Sequence, residues 1–280
     1  MNDSKFNALI ALLDDPDPEV ARQVESELTT LGIEGIARLE QAWEAVTDTT
    51  LQQRLEELIT RLQVGHFTEE LYTWRQGGGA DLFEGWLLLT QVQYPTLNVQ
   101  KYRNELSRLA NRTWLETNSG MNDLERLSVI NRMLYGREGY GGNFADPDKP
   151  DNLFLSQLID SKHSNSLGLS VFYYILCQQL QIPMQVVHFG GYYALKYYQP
   201  NAHFYIDAFN KGMFFTPKQV QQFLRKMKAD ENLNHYKPLS HIYIVLHLVD
   251  RLVEAYRTLG LTTKADTFAQ LRKDIDISFE

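Results

Sequence analysis

Residues 161–177 read SKHSNSLGLSVFYYILC, a polar segment that turns apolar halfway along. The apolar part carries no charged side chain, and Ile182-Pro183 follows it closely. An uncharged apolar run of this length that stops before a proline predicts a buried helix over about 166–180. The polar residues in front of it place Ser166 at the helix N-terminus, where the helix dipole stabilises a negative charge.

Short aromatic and β-branched runs follow the proline and predict a small antiparallel sheet. Gly190-Gly191 and Gln199-Pro200-Asn201 separate two pairs of these runs and predict tight turns. The predicted strands cover residues 184–189, 192–198, 203–209 and 213–215.

The second predicted strand is rich in tyrosine, and its side chains alternate between two faces. Tyr193, Leu195 and Tyr197 share one face, which we expect to pack against the 166–180 helix. Tyr192 and Tyr198 belong to the opposite face. We expect that second face to line a groove in which tyrosines serve as binding anchors.

Both ends of the chain have helical periodicity. Two predicted helical hairpins occupy the N-terminal end, the first joined by LLDDPDPEV at 12–20, and they resemble HEAT-type repeats. A hairpin predicted around Gly260 resembles half of a tetratricopeptide-like module. The predicted domains are a HEAT-like region at 1–65, a helical region packing on the core at 66–136, a core at 137–230 and a C-terminal helical hairpin at 231–280.

Composition argues against several classes of protein. The net charge of -8 disfavours a nucleic-acid binder or a binder of acidic membranes. No apolar run reaches about eighteen residues, and the N-terminus lacks a signal-peptide core. The single cysteine, Cys177, excludes an internal disulfide and a multi-cysteine zinc site. These features predict a cytoplasmic protein with no cofactor and no metal.

Four motifs carry a resemblance to a known family. They are Asn152 with Leu155 and Leu158, GLSVFY at 168–173, Ile182-Pro183, and FYIDAFNKG at 204–212. In order and spacing they resemble the transglutaminase-like superfamily, with the closer match to its bacterial invasion-regulator B type (SirB-like) branch. The resemblance implies an α+β, mostly α fold. In it, a papain/transglutaminase-like core packs a small antiparallel sheet on a central helix and is flanked by helical repeats.

The family would use a Cys-His-Asp triad for acyl transfer, in which a thiolate attacks an amide and the histidine carries protons. Aligned on the family pattern, Ser166 stands for the cysteine and Tyr192 for the histidine, and only Asp207 keeps its type. A serine without a base is a poor nucleophile, and a tyrosine of ordinary pKa near 10 is a poor base. The resemblance therefore implies a degenerate triad, and we assign no catalytic residue.

Polar and aromatic side chains around these positions are candidate binding residues. The turn-rich segment 140–150 is long enough to form the wall of a groove. Asp207 and Asn210 either bind a ligand or fix the turn before Gly212, and both interpretations stay open. The predicted binding residues are Tyr140, Asn143, Asn152, Tyr192, His203, Asp207 and Asn210.

Other reactive side chains favour structural interpretations. Cys177 shares a helix face with Ser166, but a small buried apolar role is the favoured interpretation. His163, His188 and His203 match no short metal-binding motif. We interpret each as a partly exposed strand or loop residue.

Three functional hypotheses follow. The favoured one is a non-catalytic transglutaminase-like module that binds a protein or peptide partner as a scaffold or regulator. The second is a cryptic hydrolase or acyl transferase that uses Ser166 with a base elsewhere. The third is a structural interaction protein that acts through its helical repeats. The sequence leaves the partner and the oligomeric state open.

Overall fold

The fold is described by a computed structural model that covers residues 1–199, 202–226 and 237–276. Pro200-Asn201 of one predicted turn lies outside the described residues. The predicted domain border between 230 and 231 also lies outside them.

The N-terminal helices enclose a hydrophobic cluster of their own, which includes Phe6, Leu28 and Leu39. The last of these helices is 28 residues long and continues unbroken through the predicted border at 65–66. Its first half contributes Leu62 to this cluster, whereas its second half contributes Phe67 to the main core. The helices are α1 (Asp3–Leu12), α2 (Pro18–Thr29), α3 (Ile36–Ala45) and α4 (Thr49–Gln76), with a 3₁₀ turn at Gly32–Gly35.

Three further helices continue the main core, and each begins at a polar cap. The side chains of Asp81, Asn98 and Asn122 each accept a backbone N–H from the first turn. Trp86 is fully buried and its indole Nε1 donates to the carbonyl of Leu153 at 2.8 Å, which ties this layer to the site region. The helices are α5 (Leu82–Gln93), α6 (Val99–Leu115) and α7 (Asp123–Asn131), followed by a π-helical turn at Arg132–Arg137.

The central layer is a four-stranded antiparallel sheet whose strands pair in chain order. The predicted apolar helix is α9 (Ser166–Gln179), and it packs on the first two strands. Tyr193, Leu195 and Tyr197 are buried on that side, which confirms the predicted alternation. The strands are β3 (Met184–Phe189), β4 (Tyr192–Gln199), β5 (Ala202–Asp207) and β6 (Met213–Phe215).

The opposite face of the sheet is covered in part by α10 (Pro217–Lys226), so the open groove predicted there is wrong. Val220 and Leu224 of this helix form a small cluster with Phe189 and Tyr205. The helix is amphipathic, and its apolar stripe covers the apolar residues of this sheet face. What remains open on this side is a cavity of about 230 Å³ at the Tyr192 end.

The third strand ends at Asp207 rather than at the predicted residue 209. The Asp207 carboxylate accepts the backbone N–H of Asn210 at 3.1 Å, and its carbonyl accepts the N–H of Gly212 at 2.8 Å. These bonds turn the chain as soon as the aspartate is reached. Gly212 has a φ of 71°, and a Cβ there would lie 2.0 Å from Asn131 Oδ1, so the turn needs glycine.

A two-residue parallel pair, which the sequence does not reveal, joins two loops at the site. Gly141 pairs with His163 and Gly142 with Ser164 in strands β1 (Gly141–Gly142) and β2 (His163–Ser164). The pair places the 143–150 segment beside the N-terminus of α9. A 3₁₀ helix at Pro150–Leu153 and α8 (Leu155–Ser161) complete the connection.

The C-terminal hairpin is formed by α11 (His241–Thr258) and α12 (Thr262–Asp276). The two helices pack on each other, and α11 also contacts α5. Leu248, Val249 and Leu252 are fully buried in the main core. In the part of the chain that the structure describes, no helix is long and apolar enough to cross a bilayer.

Candidate functional site

Ser166 is the first residue of α9 and opens onto a cavity of about 320 Å³. The preceding Asn165 caps the helix, because its side chain accepts the N–H of Gly168 at 2.9 Å. The Ser166 hydroxyl oxygen accepts the backbone N–H of Tyr193 at 3.4 Å. Within residues 1–199, 202–226 and 237–276, no imidazole is hydrogen-bonded to this hydroxyl. The Ser166 hydroxyl thus faces an open space, and among the described residues no imidazole is bound to it.

The first turn of α9 lies very close to the 3₁₀ helix. A Cβ at Gly168 would lie 2.6 Å from the backbone oxygen of Asn152 and 2.1 Å from Ser164 Oγ. The hydroxyl of Ser164 itself donates to the same Asn152 carbonyl. Only glycine permits this approach, which fixes where the helix N-terminus meets the cavity wall.

The 143–150 segment forms one wall of the Ser166 cavity. Asn143 Nδ2 donates to Asn152 Oδ1 at 3.1 Å, and Asn152 Nδ2 donates to the carbonyls of Asp146 and Pro147 at 2.8 and 3.1 Å. Asn152 is buried, so these hydrogen bonds hold the segment in place from its buried side. Neither asparagine lines the cavity; Phe144, Pro147 and Asp148 do.

Tyr192 and Asp207 are hydrogen-bonded to each other, as two members of a triad would be. The Tyr192 hydroxyl lies 2.7 Å from both carboxylate oxygens of Asp207. Asn210 Nδ2 donates to Asp207 Oδ2 at 2.8 Å and to the Tyr192 hydroxyl at 3.3 Å. The structure therefore brings Tyr192, Asp207 and Asn210 into one cluster, and Tyr192 lines the same cavity as Ser166.

The Tyr192 hydroxyl is not available as a base, because it keeps its proton. Burial and the neighbouring Asp207 carboxylate raise the pKa of Tyr192 well above its usual value. The phenol therefore keeps its proton at neutral pH and donates it to Asp207. A group that is protonated and already donating cannot accept a proton from Ser166.

Replacement of Tyr192 by phenylalanine is expected to lower the free energy of unfolding by about 1–2 kcal/mol, because Asp207 would lose its phenolic donor. Asp207 is only 5% exposed, so water does not readily replace that donor. Urea titration of the wild type and Y192F measures the difference. Tyr198→Phe is the matched control, since Tyr198 lies on the same strand and is 55% exposed. Equal effects of the two substitutions would contradict the role assigned to the Tyr192–Asp207 bond.

Two predicted binding residues lie away from the cavity. Tyr140 is 2% exposed, stacks on Phe172 and accepts a hydrogen bond from Lys162 Nζ at 3.0 Å. His203 is exposed near the far end of β5 and stacks on Tyr198. Neither side chain lines either cavity beside Tyr192.

Lys162 connects Tyr140 to an ion-pair network on α6. Its Nζ lies 3.2 Å from Glu105, which also accepts two hydrogen bonds at 2.8 Å from Arg108. The hydrogen bonds from Arg108, followed by that from Lys162, lower the pKa of Glu105 from 4.5 to about 2. The network holds the start of the 140–150 segment in place.

The depressed pKa of Glu105 makes its contribution to stability depend on pH. The contribution is present above a pH of about 4.5 and is lost as the pH falls towards about 2. Glu105→Gln is therefore expected to lower the free energy of unfolding by about 1 kcal/mol at pH 7. The difference from the wild type should disappear towards pH 2, as followed by thermal unfolding. A difference that does not change with pH would contradict this account.

The remaining reactive residues have structural surroundings. Cys177 is fully buried, which confirms its interpretation as a core residue, and burial raises the pKa of its thiol. His163 is exposed, and its Nδ1 lies 2.8 Å from the carbonyl of Ser161. His188 is half-buried, and its Nε2 accepts the N–H of Gly191. Among the described residues, no group of three His, Cys, Asp or Glu side chains could hold a metal ion.

Sequence reasoning missed two residues that α11 brings to this region. Arg251 lines the Ser166 cavity and lies 3.4 Å from Asp148 on the opposite wall. His247 Nδ1 lies 2.8 Å from the Tyr193 hydroxyl, and burial lowers the pKa of this histidine. Their spacing of four residues places them on one helix face. The sequence shows this spacing, but it does not show which face of α11 meets the sheet.

Phe144 and Phe209 were also missed, and they frame the mouth of the cavity. Their rings lie 4.5 Å apart, and Phe209 also contacts Tyr192 at 6.4 Å. Phe144 is 67% exposed. The cavity therefore has an exposed aromatic residue in its lining.

Comparisons with known proteins point to one family. Residues 100–250 match the family described as the transglutaminase-like superfamily. The UPF0162 protein of Xylella fastidiosa (strain 9a5c) is 23% identical over 139 residues, which are 50% of each chain. F-box only protein 21 of Mus musculus is 25% identical over 156 residues, 53% of this chain and 24% of that protein. The chain thus spans half or less of these curated relatives. No solved structure gives a significant match.

Proposed function

Because the chain belongs to the transglutaminase-like superfamily, we propose that it is a non-catalytic member of that family, which binds a peptide segment of a partner protein in the Ser166 cavity. The observation that carries the proposal is the donation of the Tyr192 proton to Asp207. Tyr192 occupies the position where the family places its base, and this tyrosine supplies none. The hydrogen-bonded Tyr192 and Asp207 resemble the base and acid of a triad, but this pair cannot carry out the proton transfer of one.

The walls of the cavity favour a peptide as the ligand. Phe144, Phe209 and Tyr192 provide aromatic surface at the mouth, and Ser166 provides a polar group in the same lining. Aromatic anchors are typical of sites that hold a partner segment. Arg251 and Asp148 add one charge of each sign at the rim.

We further propose that the chain belongs to the SirB-like branch and that its helical ends act as HEAT-like and tetratricopeptide-like scaffolds. The separate hydrophobic cluster of α1–α4 supports an N-terminal unit that ends within α4. The burial of α11 and α12 in the main core supports a C-terminal hairpin that braces the cavity. The four domains remain part of this proposal.

Selection of displayed peptides on the full chain tests the binding proposal. Peptides that bind the wild type are expected to bind Phe144→Ala at least about tenfold more weakly, because about 1.4 kcal/mol of aromatic contact is lost. Trp114→Ala is the matched control, since Trp114 is 63% exposed and lies on α6 outside the cavity. Peptides that lose affinity equally for both variants, or an absence of binding peptides, would contradict the proposal.

A further inference from the structure

A second cavity lies on the other side of Tyr192, between the sheet and α10. It has a volume of about 230 Å³, and most of its lining is apolar, from Phe189, Ala194, Phe215, Val220 and Phe223. Among the residues that the structure describes, Tyr192 alone lines both this cavity and the Ser166 cavity. For comparison, an engineered apolar cavity of about 150 Å³ holds benzene. The space is therefore large enough for one aromatic ring with a short substituent.

One end of this cavity is polar and negatively charged. Asp207 lines it and is only 5% exposed. Its carboxylate accepts hydrogen bonds from the Tyr192 hydroxyl and from the backbone and side-chain amides of Asn210. Throughout residues 1–199, 202–226 and 237–276, no cation forms an ion pair with it. Hydrogen bonds to neutral donors thus satisfy Asp207 in part and leave its charge uncompensated.

Around Asp207 the cavity offers an acceptor to a ligand, because the side-chain donors of Tyr192 and Asn210 are already used. The Tyr192 proton goes to Asp207, and the side-chain amide of Asn210 is shared between Asp207 and the Tyr192 oxygen. A carboxylate accepts about four hydrogen bonds, so Asp207 can take one more. A ligand that fits this end must therefore bring a donor, and a positive charge would complement the carboxylate.

We propose that this cavity binds a small arylalkyl ammonium ion, in which the ring fills the apolar part and the ammonium donates to Asp207. The rings of Phe223 and Tyr192 contact each other, with centroids 5.8 Å apart, and would together form one aromatic wall beside the ligand. Binding is non-covalent and uses neither Ser166 nor the cavity at its side. The site is thus additional to the proposed peptide site, although Tyr192 forms part of both walls.

Three ligands of nearly equal size test the charge requirement on the full chain at pH 7. Calorimetric titration is expected to give a Kd of about 1 mM for benzylamine, a value ordinary for a ligand of this size. Benzyl alcohol, which has a donor but no charge, should bind about tenfold more weakly. Benzoate should not bind, because its carboxylate would face Asp207. No binding of benzylamine, or equal binding of benzoate, would overturn the proposal.

Two phenylalanine substitutions then locate the binding. Phe223→Ala removes a wall of the cavity and is expected to raise the Kd of benzylamine about tenfold. Phe214→Ala is the matched control, because Phe214 is 37% exposed, Phe223 is 39% exposed, and Phe214 does not line the cavity. Equal weakening by both substitutions would overturn the assignment to this cavity. The peptide proposal is judged by the Phe144→Ala comparison, so either proposal can fail alone.

Discussion

Replacement of Gly168 by alanine is expected to lower the free energy of unfolding by about 3 kcal/mol, close to the upper end for a single methyl group. The new Cβ would lie 2.6 Å from the Asn152 carbonyl oxygen, which is backbone and cannot rotate away. Either α9 or the 3₁₀ helix at 150–153 must shift, and that shift disturbs both Ser164 and the cavity wall. Urea unfolding followed by circular dichroism measures the loss.

Gly65→Ala is the matched control for this prediction. Gly65 lies inside α4, and a Cβ there would meet no heavy atom within 4 Å. Alanine is the better helix former, so this substitution should raise the free energy of unfolding by about 0.5–1 kcal/mol. The same glycine-to-alanine change is thus expected to lower the free energy of unfolding at position 168 and to raise it at position 65. A loss below about 1 kcal/mol at Gly168 would mean that α9 is not held against Asn152 as described.

Introducing a thiol at position 166 and an imidazole at position 192 is expected to produce a reactive cysteine. Ser166→Cys alone gives a thiol at a helix N-terminus, which lowers its pKa somewhat below the ordinary value of about 8.5. Adding Tyr192→His places an imidazolium beside it, and such a neighbour lowers a thiol pKa to between about 3.5 and 7.5. Alkylation by iodoacetamide at pH 6 should become at least about tenfold faster in the double variant, because more of the thiol is ionised.

The chain provides a clean background for that experiment. Cys177 is fully buried, so the introduced thiol is the accessible one. S166C combined with Y192F is the control, since phenylalanine removes the phenol without supplying a charge. Its alkylation rate should match that of S166C alone across the pH range. A double variant with histidine that reacts no faster at pH 6 would show that positions 166 and 192 do not face each other across the cavity.

Most of the central layer could be predicted from sequence because its signals are local. The bounds of the predicted 166–180 helix agree with those of α9 to within one residue, since an uncharged apolar run of this length typically forms a buried helix. Alternation along residues 192–198 correctly assigned Tyr193, Leu195 and Tyr197 to the core. The end of β5 was predicted two residues too late, because Asp207 turns the chain through its own side chain.

Most of what was missed depends on contacts between distant segments. The β1–β2 pair spans two residues on each side, too few to leave a sequence pattern. The helix α10 covers part of one face of the sheet, but nothing in its sequence tells which surface its apolar stripe covers. Arg251 belongs to a helix interpreted as a separate hairpin, yet it completes the wall of the Ser166 cavity.

At Ser166, Tyr192 and Asp207, too, the sequence gives the residues but not all of their contacts. The alignment of motifs placed Ser166, Tyr192 and Asp207 together, and the structure places Tyr192 against Asp207 and both Ser166 and Tyr192 on one cavity. The direction of the Tyr192 proton, however, depends on Asn210 and on burial, which the sequence alone does not give.

Acylation of Ser166 by an activated ester tests most directly the proposal that Ser166 is not a catalytic nucleophile. The purified chain and Ser166→Ala are each incubated with p-nitrophenyl acetate at pH 7, and the acetyl adduct is measured by intact-mass spectrometry over time. The account predicts equal, slow labelling of both proteins, because Ser166 has no base and the Tyr192 proton is committed to Asp207. A fast adduct on the wild type that is absent from S166A would contradict it and return the site to catalysis.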